Sequence, residues 1–211
     1  MTMHTPLPPD TDELDSDPSD ESSPACILVF NASDPSGAGG LTGDIATIAS
    51  VGGHAIAVVT GAYARDTAQI FDHFCLDDEA VAEQARAVLE DLPVQAIKVG
   101  FVGSTENIST IAEIAADYDD VPVIAYMPNL SWWREELIDE YLDAFRELLL
   151  PQTSVLVGNH STLWRWLLPD WSSDRSPTAR DIARAASEMG APPTLATGIP
   201  PPAQCAATAL A

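Results

Sequence analysis

The sequence predicts an α/β domain with a mostly parallel central sheet flanked by helices. Three observations predict it. Short apolar runs of four to six residues recur along the chain, amphipathic helical stretches alternate with them, and glycine or proline punctuates most boundaries. Strands and helices alternating at this spacing form βαβ units around a parallel sheet. The chain has 211 residues, 46% of them hydrophobic, enough to bury one core and to exclude a wholly disordered protein.

The elements follow in order. Residues 1–24 hold five prolines, many aspartates and no lysine or arginine, and read as a disordered acidic tail. Cys26 to Phe30 is an apolar run buried on both faces of a sheet. From Gly39 to Val51 the period becomes helical, with Leu41, Ile45 and Ile48 at spacings of three and four, and Gly52-Gly53 ends it. Ala55 to Thr60 is a second strand. Residues 78–91 form an amphipathic helix through Val81, Ala85, Val88 and Leu89. Ala96 to Val99 is a strand, and Ser104 caps a helix running to Ala116. Val121 to Tyr126 is a strand, and Arg134 to Leu149 a helix closed by Pro151. Ser154 to Val157 is a strand, 160–168 a short helix, Pro177 to Met189 a longer one, and Thr194 to Thr197 a last strand. Residues 199–211 read as an irregular tail, leaving the domain at 25–198.

Charge excludes several partners. There are 32 acidic and nine basic residues, a formal charge of −23, and Lys98 is the sole lysine. Phosphate backbones and anionic membrane surfaces are repelled, so neither nucleic acid nor membrane is expected as a partner. No apolar run reaches the roughly 18 residues of a membrane span, and no basic segment followed by an apolar one opens the chain. Cys26, Cys75 and Cys205 are widely spaced without metal or redox patterning. A reducing, cytoplasmic compartment is expected. His4, His54, His73 and His160 show no ligand spacing, and no metal ligands are predicted.

The segment Asn31-Ala32-Ser33-Asp34-Pro35-Ser36-Gly37-Ala38-Gly39-Gly40-Leu41-Thr42-Gly43-Asp44 joins the first strand to the first helix. Ligands of open parallel sheets gather beyond the carboxyl ends of strands, and glycines let backbone approach them. It is neither a Walker A loop nor a dinucleotide fingerprint. Chemistry alone leaves two readings, a ligand cradle or a tight strand-to-helix turn. Asp44 is likewise either a ligand acceptor or an aspartate favoured near a helix start. Lys98, inside an apolar strand, needs a carbonyl or carboxylate partner. Trp132 and Trp133, with Trp164, Trp166 and Trp171, are expected to pack the C-terminal helices or form a partner surface.

These residues resemble the hydroxymethylpyrimidine/phosphomethylpyrimidine kinases. The first signature is Ser33-Asp34-Pro35-Ser36-Gly37 with the following glycines and Asp44. Val58-Val59-Thr60, Asp66-Thr67, Ala96-Ile97-Lys98-Val99-Gly100, Glu106-Asn107-Ile108, Pro151-Gln152-Thr153 and Thr197-Gly198 follow in the same order. The resemblance covers roughly 25–198. It implies a three-layer ribokinase-like fold, ATP and Mg2+ as cofactors, a small-molecule pyrimidine as partner in thiamine biosynthesis, and a homodimer. It also implies that Ala32, Asp34, Gly37, Gly39, Asp44, Arg65 and Phe101 face the pyrimidine, and that Asn159, Thr197 and Gly198 face the nucleotide.

Departures from the family pattern lower the expected activity. Arg65 stands where the family has glutamine; it only donates and carries charge, or simply faces solvent. Met127-Pro128 replaces an Asp-Pro pair, and Thr162 replaces a glutamate after Asn159. Two carboxylates of the metal and phosphate region are thereby lost. The family's glycine-rich anion hole with its general-base cysteine has only Pro202-Ala203-Gln204-Cys205-Ala206 to match it; Cys205 is either the counterpart of that cysteine, and then the sole catalytic candidate, or a thiol of an unstructured tail. The chain is therefore read as a divergent member lacking the last elements of the fold.

Overall fold

The computed structural model describes residues 23–190, 193–199 and 207–210, the last four as backbone only. The acidic segment 1–22, His4 and Cys205 lie outside the described residues. Eight strands form one sheet: β1 (Cys26–Ser33), β2 (His54–Arg65), β3 (Ile70–Cys75), β4 (Ala96–Val99), β5 (Val123–Met127), β6 (Val155–Asn159), β7 (Thr194–Ile199) and β8 (Ala207–Leu210). Six helices accompany them: α1 (Gly40–Ser50), α2 (Asp78–Leu89), α3 (Thr105–Asp117), α4 (Glu135–Ala144), α5 (His160–Leu167) and α6 (Ala179–Glu188).

The sheet order is β3-β2-β1-β4-β5-β6-β7-β8. All neighbouring pairs from β2 to β7 are parallel, and only the edge strands β3 and β8 run antiparallel. The chain steps outward from β1 to β2 and then returns to place β4 on the other side of β1. That reversal is a topological switch point, where the connections leave a crevice beyond the carboxyl ends of β1 and β4. Leu28, Phe30, Ile97, Val99, Ala125 and Leu156 are fully buried along the middle of the sheet, which explains their continuous apolar runs.

Helix boundaries follow local chemistry. Ser104 accepts a hydrogen bond from the Asn107 amide at 3.1 Å and starts α3, as its sequence position predicts. Thr178 and Asp181 form a reciprocal capping box at the start of α6. The helix expected over 134–149 is present as α4 continued without a break by a π-helical turn over Phe145–Leu149, and a 3-10 turn over Leu150–Gln152 follows, where Pro151 forbids continuation.

Two expectations are corrected. The sequence reading lacks β3, which pairs with an extended β2 as an antiparallel hairpin beyond the parallel core. Four of its six residues are exposed and the two partly buried ones, Ile70 and His73, fall three apart, so the segment shows neither a buried apolar run nor an alternating pattern. The region 199–211 is not wholly irregular: Ile199 ends β7, and residues 207–210 pair with it as β8.

Candidate functional site

At the switch point the β1–α1 loop is organised by Asp34. Its Oδ1 accepts hydrogen bonds from the Ser36 amide at 2.8 Å and the Ser36 hydroxyl at 2.7 Å, an Asx turn. Its carbonyl accepts from the Thr42 hydroxyl at 2.9 Å. Gly40 then enters α1 with a φ of +55°, and a Cβ there would lie 2.6 Å from the Ala32 carbonyl oxygen, so only glycine fits the turn.

Two carboxylate–cation pairs frame the crevice. Arg65, at the end of β2, donates its Nη1 to Asp34 Oδ2 at 3.1 Å; the Asp34 side chain is 0% exposed and that of Arg65 16%. Arg65 also donates its Nε to the Asp66 carbonyl. It is thus no solvent-facing arginine. It ties the β2–β3 hairpin to the glycine loop, and much of its charge is balanced by Asp34. Lys98, on β4, donates to Asp44 Oδ2 at 2.6 Å, and Asn31 Nδ2 donates to the same oxygen at 2.8 Å. Asp44 lies beyond the first turn of α1, so these two donors hold it and the helix start does not. The carboxylate that Lys98 needs is Asp44.

An aromatic wall closes one side. Phe101, directly after β4, is nearly fully buried, with Trp132, Trp133, Tyr63 and His73 ring centroids at 5.3, 5.0, 6.0 and 4.9 Å. Trp132 and Trp133 therefore stand beside the crevice, and Trp133 also packs edge-on against Tyr141 of α4 at 5.3 Å. Burial raises the Tyr63 phenol above its ordinary value, with the Asp34 charge adding to the effect, so it stays a donor. Arg65, Gln69, Asn129, Ser131 and Trp132 line an open pocket at the mouth of the crevice. Of the predicted residues, Asp34, Asp44 and Arg65 converge here with the glycines, while Ala32 and Phe101 are buried behind them. Asn31, Tyr63 and Trp132 are additions. Only Asn31 had a signal, its place in the first motif.

His73 packs between Tyr63 and Phe101, and its Nε2 is buried without a hydrogen-bond partner among the described residues. Burial pushes its imidazole from 6.5 down to about 4, against the pull of the Asp72 charge. The folded state thus binds fewer protons than the unfolded one. The stability that neutral His73 contributes is present above pH 6.5 and is lost as pH falls from 6.5 towards 4. After discounting for partial exposure this amounts to no more than ~2 kcal/mol. Thermal melts across that window should show a flatter pH slope in His73→Gln than in the parent; equal slopes would refute the assignment.

The residues expected to face a nucleotide also come together. Asn159 ends β6 and caps α5, its Oδ1 accepting from the Ser161 amide and hydroxyl at 3.0 and 2.8 Å. It pairs with Thr197 across β6–β7, and Gly198, at a φ of +66°, leaves room for its side-chain amide. Between this group and the crevice lies a cleft of about 190 Å³ beyond the ends of β5 and β6, with Met127 buried at its base and Asn129, Ser131, Ser161, Thr162 and Arg165 on its walls. Among the described residues no carboxylate lines it, and no group of three histidines, cysteines or acids could hold a metal ion. Asp34 and Asp44 are both engaged by cations. Mg2+ wants carboxylate oxygen, so the described residues do not fit it.

An open parallel sheet with a glycine loop at the β1–β4 switch point and a second residue group beyond β6 and β7 is the arrangement of the ribokinase-like kinases. The family profile described as phosphomethylpyrimidine kinase matches residues 34–207, and the chain belongs to that family. Over 137 residues it is 31% identical to the hydroxymethylpyrimidine/phosphomethylpyrimidine kinase of Streptomyces coelicolor, covering 64% of this chain and 51% of that protein. The Escherichia coli protein of the same name is 26% identical over 133 residues, covering 63% and 50%. The chain thus spans about half the length of the curated relatives it matches. Among solved structures, a phosphomethylpyrimidine kinase from Clostridium difficile superposes with a TM-score of 0.73 at 24% identity, covering 89% of this chain and 80% of that one. A Bacillus subtilis pyridoxal kinase superposes at 0.70 with 21% identity, covering 83% and 66%, and shows the shared fold. No helix among the described residues is long and apolar enough to cross a membrane.

Proposed function

We propose that the chain binds hydroxymethylpyrimidine or its monophosphate in the crevice between β1 and β4, as a kinase-like protein of thiamine biosynthesis whose phosphoryl transfer is weak or absent. The observation that carries this reading is the Asn31–Asp44–Lys98 arrangement. Two donors converge on Asp44 Oδ2 and fix the carboxylate, and a fixed carboxylate can accept from an exocyclic amine or a ring N–H. Arg65, Gly37, Gly39 and the loop around Asp34 border the same space, with Ala32 and Phe101 as its buried support. ATP, expected from the resemblance, would meet Asn159, Thr197 and Gly198. The carboxylate-poor cleft favours a second reading for the same site, a pyrimidine-binding regulator that does no phosphoryl transfer.

Calorimetric titration with hydroxymethylpyrimidine tests the binding claim. The parent chain should give saturable binding, weakened on the order of 10- to 100-fold in Asp44→Ala. No saturable binding by the parent would defeat the proposal.

Pairing of two copies belongs to the same reading. β3 is an edge strand with unpaired backbone groups, and its Phe71 and Phe74 are 61% and 63% exposed. Light scattering should give a dimer mass that Phe74→Glu reduces to a monomer. A monomeric parent chain would contradict this.

A further inference from the structure

We propose that the cleft beyond β5 and β6 binds a phosphate group directly, through Arg165 and the neighbouring hydroxyl and amide groups, with no divalent cation between them. Charge is the first argument. The chain carries 32 acidic residues against nine basic ones, yet of the eleven residues lining this cleft the only charged one is Arg165. Walls without a carboxylate repel anions less than an acidic surface does, although Arg165 also faces an adjoining groove with Asp139 and Asp143. The overall negative charge acts weakly there, because exposed charges are screened beyond about 8 Å at physiological salt.

The donors are the second argument. Arg165 takes part in none of the ion pairs among the described residues. Asp139 and Asp143 border the groove on its outer side, and Asp143 is held by Arg146 at 2.5 Å. Asn129 uses its Oδ1 to accept from the Ser131 amide, which leaves its Nδ2 group as a donor. Thr162 adds a hydroxyl on the same wall. Phosphate oxygens only accept, and a guanidinium meets them with two parallel donors. A magnesium ion would find hydroxyl and amide oxygens here and the buried thioether of Met127, without the one or two carboxylates it ordinarily needs. The positive charge in this cleft is therefore built into the chain.

Size is the third. At about 190 Å³ the cleft is smaller than the roughly 300–1,000 Å³ of pockets that enclose whole ligands. It takes one group of a larger ligand, and a phosphate at the end of a chain fits that description. The site lies apart from Asp44, so failure of the chain to bind pyrimidine would leave this proposal standing.

Titration of the full chain with tripolyphosphate and with ATP, each in Mg2+ and in EDTA, tests it. The expected result is binding in EDTA at least as tight as in Mg2+, because Mg2+ chelated by the phosphates competes with Arg165 for their oxygens. Arg165→Met should weaken binding on the order of 10- to 100-fold, with Arg165→Lys retaining part of it. Arg86→Met, which removes an exposed charge on α2 that lines neither groove, should change nothing, and thermal melts of all three variants should match the parent. Binding by both ligands puts recognition in the phosphate chain. Binding by ATP alone, undiminished in EDTA and Arg165-dependent, adds a nucleoside contribution and also supports the proposal. Binding that requires Mg2+, binding indifferent to Arg165→Met, or no heat with either ligand overturns it.

Discussion

Asp34→Ala should lower the free energy of unfolding by about 3–5 kcal/mol, because it leaves a mostly buried guanidinium without its partner. The Asp34 side chain is fully buried and Arg65 only 16% exposed, so solvent replaces the lost carboxylate only in part. The same substitution frees the Ser36 amide and hydroxyl, which both point at Asp34 Oδ1. Replacing both partners together is a different case. In Asp34→Ala/Arg65→Met no buried charge is left uncompensated, and a good part of the stability should return. Urea unfolding of the two variants separates these outcomes. A double variant as unstable as Asp34→Ala would show that the Asx turn carries the loop, with the ion pair contributing little.

Gly100→Ala should damage the crevice by driving a methyl group into Asn31. A Cβ at this position would lie 2.4 Å from both Cγ and Nδ2 of Asn31. Asn31 has nowhere to retreat: its Oδ1 accepts from the Ala32 amide at 2.9 Å, and its Nδ2 donates to Asp44 at 2.8 Å. Overpacking of this kind costs about 1–3 kcal/mol, and displacement of Asn31 releases one of the two donors that fix Asp44. Pyrimidine binding should therefore fall, though less far than in Asp44→Ala, because Lys98 still holds the carboxylate. Adding Asn31→Ala to Gly100→Ala should restore stability, since the clash is gone, without restoring binding. If Gly100→Ala binds the ring as the parent does, Asn31 is not what orders Asp44.

The parallel core was legible because burial on both faces leaves a strand continuous in apolar residues, as at Leu28, Val29 and Phe30, and because Ser104 and Pro151 mark helix ends. The hairpin strand β3 was not, since a strand outside the core needs no buried run and Phe74 can sit in solvent. The first motif pointed to Asp34 and Asp44, yet their partners lie 31 and 54 residues away along the chain, at Arg65 and Lys98. Residues joined only by the sheet leave no mark in local spacing. Lys98 shows how far sequence can go: a lysine in an apolar strand signals the need for a partner, and folding supplies Asp44. Trp132 shows the opposite, because a tryptophan pair in a loop says nothing about which side of the sheet it will cover.

The central claim is that this family member keeps a pyrimidine cradle while its metal and phosphate region has lost its carboxylates. ADP release from ATP and Mg2+ in the presence of saturating hydroxymethylpyrimidine, compared with Asp44→Ala, tests it most directly. The account predicts ring binding with ADP release close to that of the Asp44→Ala control. Vigorous release that disappears in Asp44→Ala would contradict it, and would mean that the chain assembles a phosphoryl-transfer centre without carboxylates at Met127 and Thr162.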